Sequence, residues 1–512
     1  MLGTEEAINA LADERLLSPT LAWLVASAAA RTFDDGGASP LAVVGWDRRP
    51  GNPALVRAVT HALRTHGWRV LHLGACATPL VHRVVIAEGA TLGVMVTASH
   101  NPAHDSGLKL FDAEGRKSTP SMEVWISELV LVLAQEDHPL GDLERDPLAT
   151  PDNELDDAAL LHASWLDERH RELATIFGLR SRDLSIEGGP LLLDASGGAA
   201  RTWLAAWLSE RGCPAVEVSA SVGLVNDGCG AGDFSPGQRW TWGEVEASNH
   251  LLLRRLVPVP AGRLVAAALD GDGDRCLLLQ STETGVAVVD GDAMALSILR
   301  AASTSGPWTL AASIESDLAL STSALGMKHV AAVHPTAVGD RWLSVALHSA
   351  VGPCVLGVED SGHLVLPWRH QGQETVRLVG DGAASLVAVL LAGCGRLGEV
   401  PSPGGWKLRR SIAPSDRSRW TGTGPLAEAV VECVRRALPD VEDLEHGPLD
   451  NEPNLLRVEG RLGAAYVSLG VRNSGTQAKT SISLRTDAPA LASRMLEVMD
   501  QVEAVLRPAL VQ

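Results

Sequence analysis

The 512-residue chain is long enough for about three or four domains. Its 43 Lys and Arg residues are outnumbered by 62 Asp and Glu residues, and the formal net charge is −19. This charge argues against a nucleic-acid-binding protein or a protein held on an anionic membrane surface. A small anion remains a candidate ligand, because local arginines and helix ends can override the global field.

The cysteines and the N-terminus indicate the compartment. Seven cysteines without a C-x-x-C pair are typical of reduced thiols in a cytoplasm. The first residues include Glu5 and Glu6 and show no basic-then-apolar signal pattern. The most apolar run, 383–394, is too short to cross a bilayer and predicts a buried helix. We therefore expect a soluble cytoplasmic protein.

The first part of the chain alternates strand and helix patterns. An apolar run at 41–46 predicts a strand, and Asn52-Pro53 predicts a helix N-cap followed by Pro at the first helical position. Apolar residues at helical spacing continue to Gly67, a plausible helix stop. Further strands are expected at 68–73 and 91–97. This β-α-β order predicts a mainly parallel sheet covered by helices.

The same pattern restarts twice before the chain changes character. A strand at 191–194 precedes a helix that ends at Gly212, and a third unit starts after Asp290. Segments 134–160 and 223–246 are irregular and predict insertions or linkers. The last hundred residues predict strands at 466–471 and 480–484 and a closing helix. The sequence thus predicts an α/β protein with three similar α/β units and a smaller C-terminal α+β unit.

The first chemically distinctive loop is Thr-Ala-Ser-His-Asn-Pro at 97–102. It ends a predicted buried strand, at the sheet edge where α/β proteins bind ligands, so Ser99 is a candidate nucleophile. A loop serine that makes a local turn bond is the alternative. Ser99 and His100 are neighbours in an extended chain and would point apart, which excludes a base–nucleophile pair.

A second loop, Asp-Gly-Asp-Gly-Asp-Arg at 270–275, follows the apolar strand 264–269. Asp270, Asp272 and Asp274 alternate and can converge on one hard cation such as Mg²⁺. An EF-hand needs Gly at its sixth position and Glu at its twelfth, where this sequence has Arg275 and Ser281. A metal-free acidic turn is the remaining alternative.

Two further polar loops are weaker signals on their own. Residues 357–363, Gly-Val-Glu-Asp-Ser-Gly-His, place a carboxylate, a hydroxyl and an imidazole in a tight turn, a suitable set for sugar hydroxyls. Residues 472–476, Arg-Asn-Ser-Gly-Thr, can form an anion nest from a guanidinium, hydroxyls and backbone amides.

In this order and at these separations, the four loops resemble those of the α-D-phosphohexomutase family. The family includes phosphoglucomutases, phosphomannomutases and phosphoglucosamine mutases. The resemblance runs from about residue 41 to the end, and the stretches 226–230 and 338–341 lean toward phosphoglucosamine-type members. It implies four domains around one central cleft. We expect a phosphoserine-loop domain at 1–180, a metal-binding-loop domain at 181–289, a sugar-binding-loop domain at 290–404 and a phosphate-binding domain at 405–512.

The resemblance also implies a role for each loop. Ser99 would carry a phosphoryl group and convert a sugar 1-phosphate into the 6-phosphate through a bisphosphate. The implied catalytic residues are Ser99, His100, Lys109 and Arg275. The implied metal ligands are Asp270, Asp272, Asp274 and Ser99, and the implied substrate-binding residues are Glu359, Ser361, His363, Arg472, Ser474, Gly475 and Thr476. One Mg²⁺ per chain, a sugar 1,6-bisphosphate activator, and a monomer or homodimer without nucleic-acid or membrane partners are expected.

The sequence departs from the family pattern at several positions. Family members usually open with a Gly-Thr-Asp-Gly-x-Arg-Gly segment whose Arg faces the phosphoserine, but here Gly3-Thr4 is followed by Glu5-Glu6. Arg48 or Arg49 are candidate substitutes for that cation. Gln477-Ala478 replaces the more usual Glu-Pro, and Ser106 replaces a common Asn. A specialised mutase for an unusual sugar phosphate, a sugar-phosphate-binding relative with impaired transfer, and a phosphatase are the alternatives.

Overall fold

The structure is a computed structural model. It describes residues 3–14, 16–34, 39–136, 138, 141–152, 157–350, 352–370, 373–396, 398, 400–474 and 478–511. The chain divides into a first unit, Met1–Val289 with Ser361–Glu399, and a second unit, Asp290–Asp360 with Val400–Gln512.

The first unit begins with a four-stranded mixed sheet. Its elements are α1 (Thr4–Glu14), α2 (Pro19–Phe33), β1 (Leu41–Trp46), α3 (Asn52–Thr65), β2 (Arg69–Ala75), α4 (Thr78–Glu88), β3 (Leu92–Val96), β4 (Leu108–Phe111), α5 (Pro120–Leu133) and α6 (Ala158–Ile176). The strand order is β2-β1-β3-β4, in which β1 pairs in parallel with β2 and β3 while β4 is antiparallel. The loop between β3 and β4 carries Ser99.

A second mixed sheet completes most of the first unit. Its elements are β5 (Leu191–Asp194), α7 (Leu204–Glu210), β6 (Ala215–Glu217), β7 (Arg239–Thr241), α8 (Trp242–Glu246), β8 (Leu264–Leu269), β9 (Cys276–Ser281) and β10 (Gly285–Val289). The order is β6-β5-β8-β9-β10-β7, with the β5 pairs parallel and the pairs from β8 onward antiparallel. The acidic loop lies between β8 and β9, and both strands are almost wholly buried.

The next segment belongs to the second unit. Its elements are α9 (Gly291–Ala301), β11 (Trp308–Ser313), α10 (Leu318–Leu325), β12 (Val330–Thr336), α11 (Asp340–Leu347) and β13 (Val355–Val358). These strands pair in parallel in the order β12-β11-β13. The chain then returns to the first unit with the antiparallel pair β14 (Leu364–Arg369) and β15 (Val376–Gly380) and the buried helix α12 (Gly382–Leu391).

The C-terminal part of the second unit is an antiparallel sheet with two long helices. Its elements are β16 (Trp406–Ile412), α13 (Gly424–Ala437), β17 (Glu442–Leu449), β18 (Glu452–Leu462), β19 (Ala465–Asn473), β20 (Thr480–Thr486) and α14 (Ala492–Leu510). The strand order is β16-β20-β19-β18-β17. Apolar residues of α13, α14 and the sheet form one core, as the periodicity of the closing helix predicts.

The mixed α/β architecture predicted from the sequence is confirmed, with one local correction. Asn52 is the first residue of α3 rather than its N-cap, which is Gly51. Its side-chain amide instead donates to the carbonyl oxygen of Val96 at 2.9 Å and to Asp47 Oδ1 at 2.7 Å. These tertiary hydrogen bonds outweigh the capping preference. The expected insertion at 134–160 falls partly outside the described residues, and the four domain ranges stay a prediction.

Two further expectations concern the membrane and the thiols. Among the helices that the structure describes, none combines the length and hydropathy needed to span a bilayer. All seven cysteines are free, and six of them are buried. Burial raises the pKa of the Cys76 thiol to about 12, which keeps it protonated at neutral pH.

Candidate active site

Ser99 is held in a strained turn after β3. Its backbone has a φ of +54°, in the left-handed region, and its backbone N–H donates to Thr97 Oγ1 at 2.9 Å. A non-glycine residue in this region raises the free energy of the folded state by roughly 1–3 kcal/mol, which the contacts around it must offset. The Ser99 hydroxyl donates to Asp270 Oδ2 at 2.7 Å, so the candidate nucleophile touches the acidic loop directly.

Arg49 braces the Ser99 loop from inside the protein. Its side chain is fully buried, and its Nε donates to Asp47 Oδ2 at 2.9 Å. The other four N–H groups donate to the carbonyl oxygens of Ser99, Asn101, Pro102 and Asp105. Because a guanidinium has five N–H donors, all of them are used. Arg49 therefore cannot replace the missing N-terminal Arg as a phosphate ligand, and the neighbouring Arg48 is exposed.

Asn226, from the segment expected to be an insertion, supports the same loop. Its Nδ2 donates to the carbonyl oxygen of Ser99 at 2.7 Å and to that of Asn101 at 3.0 Å. Ser106, noted for standing where the family has Asn, donates to Asn52 Oδ1 at 2.7 Å. Sequence reasoning noted Asn226 only as part of a motif and did not predict this contact.

Asp270, Asp272 and Asp274 converge as predicted. All three are fully buried, and one carboxylate oxygen from each lies within 4.8 Å of the others. Burial and the charges of Asp274 and Asp272 raise the pKa of Asp270 to about 7. Among the described residues, the buried Asp272 Oδ1 has no hydrogen-bond partner. An unsatisfied carboxylate oxygen beside two repelling carboxylates fits a hard divalent cation such as Mg²⁺.

Two basic side chains contact this cluster. Lys109 Nζ lies 2.6 Å from Asp272 Oδ2 and 2.8 Å from Asp274 Oδ2, while His363 Nε2 lies 2.7 Å from Asp274 Oδ1. Burial opposes ionisation of Asp274, but the charges of His363 and Lys109 hold its pKa well below the usual value. The structure thus brings Lys109 to the acidic loop, together with His363, the last residue of the predicted sugar-binding segment 357–363.

Arg275 and His100 lie close to each other at the edge of the cluster. The Arg275 backbone N–H donates to Asp270 Oδ1 at 3.1 Å, and its Nε lies 4.0 Å from Asp270 Oδ2. The positive charge of Arg275, assisted by burial, lowers the pKa of His100 to about 3. His100 is therefore a neutral imidazole at physiological pH.

The sugar-loop residues are divided between the two units. Glu359, in the second unit, is 4% exposed, and its Oε1 accepts a hydrogen bond from the Gly339 backbone N–H at 2.7 Å. Gly339 precedes α11 with a φ of 120°, and it belongs to the Val-Gly-Asp-Arg stretch noted in the sequence. Ser361 is half-buried and belongs to the first unit.

Arg472 and Ser474 lie at the end of β19. Arg472 is paired with Glu315, whose Oε1 lies 3.3 Å from Nε and 3.2 Å from Nη2. The Ser474 backbone N–H donates to the Lys479 carbonyl oxygen at 2.9 Å, and the Ser474 carbonyl accepts from Arg417 Nη1 at 2.6 Å. Gly475 and Thr476, the other expected phosphate ligands, lie outside the described residues.

The second unit also contains a charge network that the sequence did not predict. Lys407 Nζ lies within 3.2 Å of one oxygen from each of three carboxylates, those of Asp290, Asp292 and Asp360. Arg409, two residues along β16 and therefore on the same face, contacts Asp360 and Glu315. The alternation Lys-Leu-Arg at 407–409 was the available signal. Its acidic partners come from segments about 50 to 120 residues away, which no local pattern reveals.

The chain is similar in sequence to known proteins. Residues 2–136 match the family model described as phosphoglucomutase/phosphomannomutase, alpha/beta/alpha domain I. The phosphoglucosamine mutase of Nocardia farcinica is 35% identical over 378 residues, which cover 72% of this chain and 75% of that protein. The phosphoglucosamine mutase of Frankia casuarinae is 29% identical over 520 residues, which cover 98% of this chain and 96% of that protein.

Solved structures share the fold at low sequence identity. A phosphoglucomutase/phosphomannomutase family protein from Burkholderia thailandensis has a TM-score of 0.64 and 16% identity, covering 96% of this chain and 95% of that one. The Aspergillus fumigatus N-acetylphosphoglucosamine mutase, solved with GlcNAc-6P and magnesium, has a TM-score of 0.52 and 16% identity. The match covers 95% of this chain and 99% of that one.

Proposed function

Because this chain belongs to the α-D-phosphohexomutase family, whose members are phosphotransferases of the isomerase class, we propose that it interconverts the 1-phosphate and 6-phosphate of a hexose or amino-hexose. The proposed route runs through phospho-Ser99 and a sugar 1,6-bisphosphate. The observation that carries the proposal is the 2.7 Å hydrogen bond from the Ser99 hydroxyl to Asp270 of the acidic loop.

The acidic loop supplies the proposed metal site. Asp270, Asp272 and Asp274 would hold one Mg²⁺ together with the Ser99 oxygen, and a magnesium-bound structural neighbour supports this. When bound, the cation would neutralise charge on the transferring phosphoryl group. The unsatisfied oxygen of Asp272 favours this arrangement over a metal-free acidic turn.

The chain's own residues would do the positioning that phosphoryl transfer requires. Asp270 accepts the hydrogen bond of the Ser99 hydroxyl and so orients its oxygen. Lys109 and Arg275 supply positive charge for the transferring phosphoryl group, and His100 stays a candidate catalytic residue as a neutral imidazole. The brace of Arg49 and Asn226 fixes the loop that carries the nucleophile.

The remaining site residues are assigned to the substrate. Glu359, Ser361 and His363 are proposed to bind the sugar, although the contact of His363 with Asp274 also suits a role in holding the acidic loop. Arg472 and Ser474 are proposed to hold the phosphate that is not reacting, with Gly475 and Thr476 completing the site. The relatives' name supports glucosamine phosphate as the first substrate to test. A sugar 1,6-bisphosphate is the proposed activator, and a cytoplasmic location remains our expectation.

Phosphate mapping on Ser99 tests the proposal. The protein is incubated with Mg²⁺ and the 1,6-bisphosphate of glucosamine, glucose or mannose, and peptides are analysed by mass spectrometry. We expect phosphate on Ser99 with the best donor, and conversion of the matching 1-phosphate to the 6-phosphate. Ser99→Ala should abolish both, while Ser121→Ala, at an exposed serine of α5, should change neither. Isomerisation that persists in Ser99→Ala would refute the mechanism, and release of inorganic phosphate alone would identify a phosphatase.

A further inference from the structure

Glu315 joins two arginines of the second unit. It follows β11 and is 8% exposed. Its Oε1 lies 3.2 Å from Arg472 Nη2, and its Oε2 lies 2.9 Å from Arg409 Nη2. A single buried carboxylate therefore occupies donors of the arginine that we assign to phosphate binding.

The geometry gives Glu315 a partner that remains when Arg472 turns to a ligand. Arg409 has the shorter contact with Glu315 and is held in place by Asp360, whose two carboxylate oxygens each lie 3.2 Å from Arg409 Nη2. A buried carboxylate that loses its only cation is costly, but Glu315 would keep Arg409. Arg472 can thus exchange Glu315 for a phosphate without leaving an unpaired charge.

The carboxylate also acts on the phosphate electrostatically. Carboxylate and phosphate oxygens use the same N–H donors of a guanidinium, so Glu315 competes with an incoming anion for Arg472. Its negative charge also repels a phosphate bound on the other side of the guanidinium. Both effects reduce the affinity of Arg472 for phosphate.

We infer that Glu315 lowers the phosphate affinity of Arg472 and so keeps phosphate binding weak enough for exchange. This inference rests on the proposed function. In that reaction the same phosphate site must release one phosphate of the bisphosphate and accept the other in each cycle. Binding energy that is equal in the ground and transition states lowers KM without raising kcat, and an excess of it slows this exchange.

The test measures inorganic phosphate binding by isothermal titration calorimetry in the full-length protein. Glu315→Gln keeps the shape of the side chain and removes its charge, so phosphate affinity should rise by about five- to tenfold, the effect of one nearby charge. Glu315→Asp keeps the charge, so its phosphate affinity should stay within about twofold of the wild-type value, a change well below the effect of removing the charge. Glu428→Gln, at an exposed position of α13, controls for the change in net charge. With the sugar phosphate as substrate, Glu315→Gln should lower KM and kcat together.

Two outcomes separate this inference from the proposed function. If Arg472→Met abolishes phosphate binding but Glu315→Gln binds phosphate no more tightly than Glu428→Gln, the inference is wrong and the assignment of Arg472 stands. If Arg472→Met binds phosphate as wild type does, the phosphate site of the proposed function is wrong, and the inference fails with it. A rise in KM for Glu315→Gln at unchanged kcat would also overturn the inference, because it would mean that Glu315 orients Arg472 for binding.

Discussion

Replacing Arg49 with Met should destabilise the first unit and loosen the Ser99 loop. The change removes all five donors that hold Asp47 and four loop carbonyls, and it leaves the 1%-exposed Asp47 without its cation. Burial already raises the pKa of Asp47 against the opposing charge of Arg49. Breaking one partner of a buried ion pair typically costs about 3–5 kcal/mol, so we expect a loss of that size in the free energy of unfolding.

Urea unfolding at pH 7 measures this loss, with Arg48→Met as the matched control at the adjacent exposed position. Asp47→Asn in the Arg49→Met background should recover part of the stability, because the stranded charge is then removed. A coupling of about 1–3 kcal/mol between the two changes is expected for residues in direct contact. Equal stability of the Arg49→Met and Arg48→Met proteins would refute the reasoning that Arg49 holds the loop.

Three other predictions concern charge in the first unit. Lys109→Met should lower the rate of Ser99 phosphorylation by about 100-fold or more, because it removes a fixed positive charge beside the transferring phosphoryl group. Mass spectrometry of samples quenched at successive times measures this rate. An unchanged rate would exclude a role of Lys109 in phosphoryl transfer. Added Mg²⁺ should raise the midpoint of urea unfolding of the wild-type protein, because a ligand that binds only the folded state stabilises it. Asp272→Asn should reduce this rise, and a rise equal to that of the wild type would place the metal elsewhere. Burial lowers the pKa of His82 to about 4, so as the pH falls the unfolded chain binds a proton at this histidine before the folded protein does. The free energy of unfolding should therefore fall by at most ~1.4 kcal/mol per pH unit between about pH 6.5 and pH 4. His82→Gln should flatten this fall in urea titrations, whereas His104→Gln, at an exposed histidine, should not; equal slopes in the two variants would contradict the assignment.

The elements and loops that depend on local pattern could be predicted from the sequence. The strands at 41–46, 191–194 and 264–269 have the predicted bounds, because buried runs between turn residues are distinctive. The convergence of the three aspartates was also expected from the sequence, but it occurs in a tight turn and not in an extended loop. The Gly273 N–H donates to the Asp270 carbonyl oxygen at 3.1 Å, and Gly273 permits this turn with a φ of +70°.

Contacts between distant segments could not be predicted. The bond from Asn226 to the Ser99 carbonyl spans 127 residues, and the pairing of Glu315 with Arg472 spans 157. Arg49 was a candidate phosphate ligand in the sequence, and only the structure shows that Asp47 and the carbonyl groups of the Ser99 loop take its donors. The identity of a charged residue fixes what it can bind, whereas its partners depend on the tertiary fold.

The left-handed backbone of Ser99 restricts which amino acid can carry the phosphoryl group. Threonine has the same hydroxyl chemistry, but its β-branched side chain adopts a positive φ at a greater steric cost than serine does, as at Thr202 with a φ of +72°. Serine, with a single γ atom, tolerates that conformation at a cost that the brace around it offsets. The path of the main chain therefore favours serine over threonine at this position on steric grounds, although the two hydroxyl groups share the same chemistry.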